Sequence, residues 1–172
     1  MESIINDYKK IFIAGGSGMV GSAIKRAFIK KNPEKNFQQI LSPTRNELNL
    51  LDTIMVEKWF KKNKPEIVIL AAAKVGGIIA NMKYPADFLI QNLMIQNNVI
   101  QASFSNNVKK FVFLGSSCIY PKFADQPIEE KALLSGSLEG TNQWYGIAKI
   151  AGIKLCEALR LQYDFDAISL MP

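Results

Sequence analysis

A short apolar run passes through three glycines spaced three apart and straight into a helical pattern. Lys10 to Ala14 is the run, Gly15-Gly16-Ser17-Gly18-Met19-Val20-Gly21 is the turn, and Val20 to Lys31 is the helix. Val20, Ala23, Ile24, Ala27 and Phe28 fall on one helical stripe. Gly15 permits a sharp turn, Gly18 lets the backbone approach a pyrophosphate, and Gly21 lets the helix pack close to the strand. The free N–H groups at the helix start would then face phosphates. Strand, glycine turn and helix in that order are the context a dinucleotide-binding fold requires. The bland alternative is a tight strand-to-helix turn with incidental glycines.

The rest of the chain keeps alternating. Phe37 to Leu41 reads as a second strand, after Pro33 has ended the helix. Asp52 to Lys62 reads as a helix with Asp52 as its N-cap. Ile67 to Leu70 is a β-branched strand, and Ala71 to Asn81 is a loop holding Gly76-Gly77. Pro85 to Ser105 is a long helix, Phe111 to Leu114 a strand stopped by Gly115, and Pro121 to Asn142 a polar connection. Trp144 to Tyr163 is a helix and Ala167 to Met171 a last strand. Strands apolar on both faces, alternating with helices, predict an α/β fold: a Rossmann-type doubly wound parallel sheet with helices on both faces, built as one domain over residues 1–172.

The formal charge of +6 is carried largely by short runs, Lys9-Lys10, Lys30-Lys31 and Lys61-Lys62 with Lys64, which flank strands and end helices. No basic stripe interleaved with exposed aromatics accompanies them, so nucleic acid is not expected as a partner and an anionic small molecule is. Two cysteines, Cys118 and Cys156, make no disulfide framework and suit a reducing, cytoplasmic compartment. No leader pattern opens the sequence, and no apolar run approaches the ~18 residues of a membrane helix, so neither secretion nor membrane insertion is expected. The chain has no histidine. That removes His-based metal sites and Ser-His-Asp triads, and no metal is expected. Tyrosine, lysine, cysteine and carboxylates remain as proton handlers.

The end of the second predicted strand separates the two nicotinamide dinucleotides. An acid there would hold a ribose 2′-hydroxyl. Ser42, Pro43 and Thr44 stand there instead, followed by Arg45, whose planar fork matches a 2′-phosphate, so NADP is the expected cofactor. Arg45 has a simpler use as a surface partner of Glu47 or Asp52. Asp52 in turn can cap its helix or touch an adenine.

The chemistry lies downstream. Tyr145-Gly146-Ile147-Ala148-Lys149 places a phenol and an ammonium four apart, on one helical face. Ser116 and Ser117 follow a strand and Gly115, where a hydroxyl can hold a substrate carbonyl. Tyr145 would protonate that oxygen as hydride arrives, and Lys149 would lower the phenol's pKa and bond a nicotinamide ribose. YxxxK alone is a weak signal, but after a strand-end serine and a glycine turn it becomes specific. Cys118 has two readings, a small buried filler or a thiol that works as acid or base at carbon. Cys156 sits at an apolar helix position and belongs to the core. Lys74 with Gly76-Gly77 borders the cofactor trough or forms a plain flexible loop. Trp59 and Trp144 read as packing residues, and one of Asn92, Asn97 and Asn98 can brace active-site backbone through buried hydrogen bonds.

Longer segments sharpen this. Gly15 to Ile24, Arg45 to Asp52, Ala72 to Ile78, Tyr84 to Phe88, Leu114 to Lys122 and Tyr145 to Glu157 resemble the GDP-L-fucose synthase family of extended short-chain dehydrogenases. The GxxGxxG spacing is the short-chain variant. The family epimerises C3 and C5 of GDP-4-keto-6-deoxy-D-mannose and reduces C4 with NADPH. The resemblance implies Ser116, Tyr145 and Lys149 as the reductase set and Cys118 as an epimerisation acid/base. It implies an NADP site made by Gly15 to Gly21, by Arg45, Asn46, Glu47, Leu48, Asn49 and Leu50, by Leu114, Gly115, Ser116 and Ser117, and by Lys149 and Pro172. Family members use a histidine and a substrate domain that fall after Pro172, so the chain is expected to match their first part, to bind NADPH weakly and not to turn over alone. They pair as dimers through a four-helix bundle, for which the helices from Pro85 and Trp144 are the counterparts. A sugar-nucleotide 4,6-dehydratase or 4-epimerase of the same superfamily, and a non-catalytic NADP-binding module, are the competing readings.

Overall fold

In the computed structural model, which describes residues 10–31 and 40–172, the apolar tetrapeptides become the middle of a parallel sheet. Strand β1 (Ile11–Ala14) leads into helix α1 (Met19–Lys31), and β2 (Ile40–Leu41) follows. Helix α2 (Thr53–Asn63), β3 (Ile67–Leu70), α3 (Ile78–Lys83) and α4 (Pro85–Ser105) come next, then β4 (Lys110–Leu114), α5 (Gln143–Tyr163) and β5 (Ala167–Leu170). The strand order is β2-β1-β3-β4-β5. Each ladder is parallel, with Ile11 opposite both Ile40 and Ile67, Ile67 opposite Lys110, and Phe111 opposite Ala167. This is the expected Rossmann-type arrangement, and it sets the strand C-termini along one edge, where ligands of open α/β sheets bind.

The two faces of the sheet are unequal. On one, Phe12, Val68, Leu70, Phe111 and Phe113 pack with Val56 and Phe60 of α2, Val99 and Ile100 of α4, and Cys156 of α5. The Phe12 ring lies 4.4 Å from Trp59 and 5.6 Å from Phe60, centre to centre. Burying each such ring stabilises by about 2–3 kcal/mol. On the other face, Ile11, Ile13, Ile67 and Ile69 pack with Ile24 and Phe28 of α1. Among the described residues α1 is the helix of that cluster; Val112 packs against it and stays partly exposed, as does Ile168.

Local chemistry explains the boundaries. Asp52 caps α2 by accepting the Met55 N–H at 2.9 Å. At the other end Lys64 turns left-handed (φ 49°) and its N–H closes on the Phe60 carbonyl. The stretch expected as a loop to Asn81 shortens to Ala71–Gly77, because the Asn81 amide donates to the Gly76 and Gly77 carbonyls at 3.0 and 3.2 Å and ties off α3. The second strand is two residues long where described, and Phe37 to Gln39 and Pro33 lie outside the described residues. The last strand stops at Leu170, one residue early. Ala23 and Ala27 of the predicted α1 stripe face outward, and Trp144 is 38% exposed, so it is no core residue.

Candidate functional site

The glycine turn is as tight as its sequence requires. Gly15 adopts φ +82°, and the Gly18 N–H returns to its carbonyl at 3.0 Å. A Cβ on Gly15 would stand 2.7 Å from the Ala72 nitrogen, and one on Gly21 would strike the Gly15 carbonyl oxygen. Gly16 and Gly21 are buried beneath the turn, while Ser17, Gly18 and Met19 are exposed at the start of α1. The first turn of α1 carries no acidic residue, so its free N–H groups meet an anion unopposed.

A cleft of about 470 Å³ opens against this turn. Gly15, Ser17, Gly18, Met19 and Val20 line one side, Arg45, Leu48, Asn49 and Leu50 another, and Ala71 to Val75 run beneath. Asn46 and Glu47 do not line it. The Glu47 carboxylate is engaged by the Thr44 N–H at 2.7 Å and hydroxyl at 2.9 Å, which hold it below the usual carboxylate range. With Asp52 committed to its cap, Arg45 makes no ion pair among the described residues. Its guanidinium is exposed at the rim.

The residues of this cleft fit a phosphorylated dinucleotide. The backbone donors, the glycine surface without Cβ atoms and an arginine with no ion pair among the described residues line one cleft, as a pyrophosphate and a 2′-phosphate require.

Helix α4 supplies support that the sequence reading only half foresaw. The buried Asn92 accepts the Lys74 N–H at 2.8 Å and donates to the Lys74 carbonyl at 3.0 Å and the Phe88 carbonyl at 2.7 Å. Asn98 donates to the Leu50 carbonyl at 2.8 Å and accepts from Thr53 at 2.9 Å. Asn97, in contrast, is exposed. Both loops under the cleft are thus pinned by amides of one helix. Gln91 and Ile95, which line the cleft, and Gln96 were not foreseen. Their signal was the i, i+4 register they share beside Asn92.

Past the cleft, at the ends of β4 and β5, the predicted reactive residues converge. Ser116 Oγ lies 3.1 Å from Cys118 Sγ, and Ser116 also acts on the Tyr145 phenol, drawing its pKa down. Lys149 is 4% exposed; its ammonium donates to the Leu114 carbonyl at 2.8 Å and sits 4.8 Å from the Phe113 ring centre. It is 5.7 Å from the Tyr145 ring centre. Gly146 brings α5 onto the Cys118 carbonyl, which a Cβ would approach to 2.8 Å. Gly115 is buried, Ser117 opens a 3-10 turn over Ser117–Ile119 with an exposed side chain, and Pro172 is exposed after β5. Leu114, Gly115, Ser116, Ser117, Lys149 and Pro172 stand outside the cleft lining.

The electrostatics correct one expectation. Lys149 does not hold the phenol below its ordinary value. Burial and the charge at Cys118 push Tyr145 up to about 12, with only the Ser116 hydrogen bond pulling the other way. Burial brings Lys149 down to about 8, opposed by the Cys118 charge. The phenol therefore stays protonated at neutral pH, as a proton donor must. Cys156 is buried in the core, as expected, and its thiol is pushed up to about 12 by burial. Among the described residues no helix is long and apolar enough to cross a membrane.

Comparison with known proteins places the chain in a family. Residues 11–172 match the profile of the NAD dependent epimerase/dehydratase family. The chain is 56% identical to GDP-L-fucose synthase 1 of Arabidopsis thaliana over all 172 residues, which cover 52% of that protein. It is 54% identical to GDP-L-fucose synthase of Escherichia coli (strain K12), over 95% of the chain and 50% of the relative. Its fold matches MlghC, a GDP-mannoheptose C4 reductase from Campylobacter jejuni with NADP bound, at a TM-score of 0.89 and 44% identity, over 95% of this chain and 51% of that one. The chain thus spans about half the length of the curated relatives it matches.

Proposed function

This chain belongs to the NAD dependent epimerase/dehydratase family, and we propose that it forms the NADP-binding, hydride-transfer half of a GDP-L-fucose synthase. The observation that carries the proposal is the meeting of Ser116, Cys118 and Tyr145 above a buried Lys149, at the end of a cleft fitted for a phosphorylated dinucleotide.

When bound, the reduced nicotinamide supplies hydride to C4 of GDP-4-keto-6-deoxy-D-mannose. The chain does the rest of this half's work. The backbone donors of Ser17, Met19 and Val20 would hold the pyrophosphate, and Arg45 would take the 2′-phosphate. The Ser116 hydroxyl donates to the C4 carbonyl oxygen and polarises it. Tyr145, protonated at neutral pH, delivers its proton to that oxygen, and the charge left behind faces the Lys149 ammonium. Lys149 also donates to the nicotinamide ribose. Cys118, beside the same hydroxyl, serves as one of the two acid/base groups that epimerisation at C3 and C5 requires, carbons that the C4 ketone acidifies; the group on the opposite face would come from the other half of the enzyme. Ile90 and Met94 on α4 and Trp144 and Ile147 on α5 are exposed apolar pairs at helical spacing. They suit pairing of two copies through a four-helix bundle. Free thiols at Cys118 and Cys156 agree with the cytoplasm.

A chimera tests the reading: residues 1–172 of this chain replace the matching half of the Arabidopsis relative. With keto sugar and NADPH, the reading expects nicotinamide absorbance to fall in proportion to product. Product without net loss of NADPH would favour a 4-epimerase or 4,6-dehydratase. Cofactor binding with no product would favour a non-catalytic module.

A further inference from the structure

Gln96 of α4 donates from Nε2 to the carbonyl of Ala148 in α5 at 2.7 Å. Both residues are closed to solvent. Ala148 directly precedes Lys149, in the turn of α5 that joins it to Tyr145. In a regular helix that carbonyl already accepts the Gly152 N–H, so Gln96 adds a second donor from a different helix. The other end of the amide lies close over Gly152, where a Cβ would stand 2.9 Å from Gln96 Oε1 and press into the Phe113 ring. Phe113 carries the Lys149 ammonium over its face, and the next carbonyl, Leu114, accepts its hydrogen bond. One turn of α5 is therefore held from α4 by Gln96 and from β4 by Phe113 and Leu114. The surrounding cluster is apolar, with Val99, Ile100 and Cys156 in it. Apolar packing is non-directional, whereas a buried hydrogen bond this short fixes one helix against the other.

We propose that Gln96 is a positioning residue of the reductive site: by holding the Ala148 carbonyl it sets where along α5 Lys149 and Tyr145 stand against Leu114 and Ser116. The proposal rests on the reading above, that these two side chains face the nicotinamide end of a bound dinucleotide, and names what keeps them there. Gln96→Met removes the donor at similar length and leaves the Ala148 carbonyl its helical partner.

The test compares the 172-residue chain with Gln96→Met, Gln96→Leu and, as a core control on the same helix, Val99→Ala. Dissociation constants are measured for NADPH and for 2′,5′-ADP, which carries only the adenosine half. Both Gln96 variants are expected to weaken NADPH about tenfold and to leave 2′,5′-ADP unchanged. Val99→Ala is expected to lower the melting temperature without separating the two ligands. Unchanged NADPH binding, or parallel weakening of both ligands, would overturn the positioning role. So would loss of folding in both Gln96 variants while Val99→Ala still folds. A wild-type chain that binds neither ligand would overturn the cofactor reading itself, and the positioning role with it.

Discussion

The Ser116 hydroxyl oxygen and the Cys118 sulfur stand 3.1 Å apart, and the same residue lowers the pKa of the Tyr145 phenol. One side chain thus links the group assigned to protonation at oxygen with the group assigned to protonation at carbon. The Ser116 bond is the one influence that lowers the phenol pKa against burial and the Cys118 charge. Ser116→Ala is therefore expected to raise the Tyr145 pKa beyond its value of about 12. Carbon-13 NMR of labelled tyrosine ring carbons reads this directly, and a fall in the pKa would refute the assignment.

Lys149 makes stability depend on pH with a definite sign. Burial lowers it from 10.5 to about 8. Between those values the unfolded chain holds more protons than the folded one, so folding stability rises with pH across that window. Below pH 8 both states are protonated and the folded state bears the whole penalty of the buried charge. Lys149→Met removes this slope. Urea denaturation at pH 7 and pH 10.5 is expected to show the variant's stability relative to wild type falling by about 2–3 kcal/mol as pH rises. Parallel pH curves would contradict it.

Arg45 is exposed at the cleft rim without an ion pair among the described residues. Arg45→Ala is expected to weaken NADPH by about 10–100-fold and NADH by less than about threefold. Titration of nicotinamide fluorescence with the two cofactors decides it; equal losses would remove the 2′-phosphate from the account.

Asn92 satisfies three backbone groups around Lys74 and Phe88. Asn92→Ala leaves them without it and is expected to destabilise by about 2–4 kcal/mol. Asn97→Ala, one turn on but exposed, is expected to stay within about 0.5 kcal/mol of wild type. Urea midpoints that do not separate the two would show the Lys74 loop to be held by other contacts.

The two thiols differ in access. Cys118 is partly exposed at the rim, while Cys156 is 2% exposed and pushed up to about 12. A chromogenic disulfide reagent is expected to modify Cys118 in the native chain and Cys156 only after denaturation. Rapid native modification of Cys156 would place it outside the core.

Much of the sheet was legible because a parallel strand buried on both faces has to be apolar at every position. Ile67-Val68-Ile69-Leu70 and Ile11-Phe12-Ile13-Ala14 meet that condition, and both are buried throughout. The glycine turn was legible for a related reason, since contacts there exclude a Cβ at Gly15 and Gly21. The start of α3 was not, because it is set by the Asn81 side chain bonding backward to Gly76 and Gly77, a contact that leaves no periodicity. The phenol's shift was misjudged for an electrostatic reason. YxxxK spacing gives proximity but not burial, and burial dominates at Tyr145. Asn46 and Glu47 stand outside the cleft because Thr44 holds Glu47, a local turn bond that segment similarity does not encode.

The parallel ladders have a kinetic consequence. Ile11 pairs with Ile67 across a loop that contains α1, β2 and α2. Gly15 takes its seat against Ala72, just beyond the end of that ladder. The phosphate cradle therefore has no wall until one of the more distant pairings in the chain has closed, which puts its completion late in folding. A ligand that grips the cradle then acts on a contact formed after the rate-limiting step, so it slows unfolding while leaving the refolding rate nearly untouched.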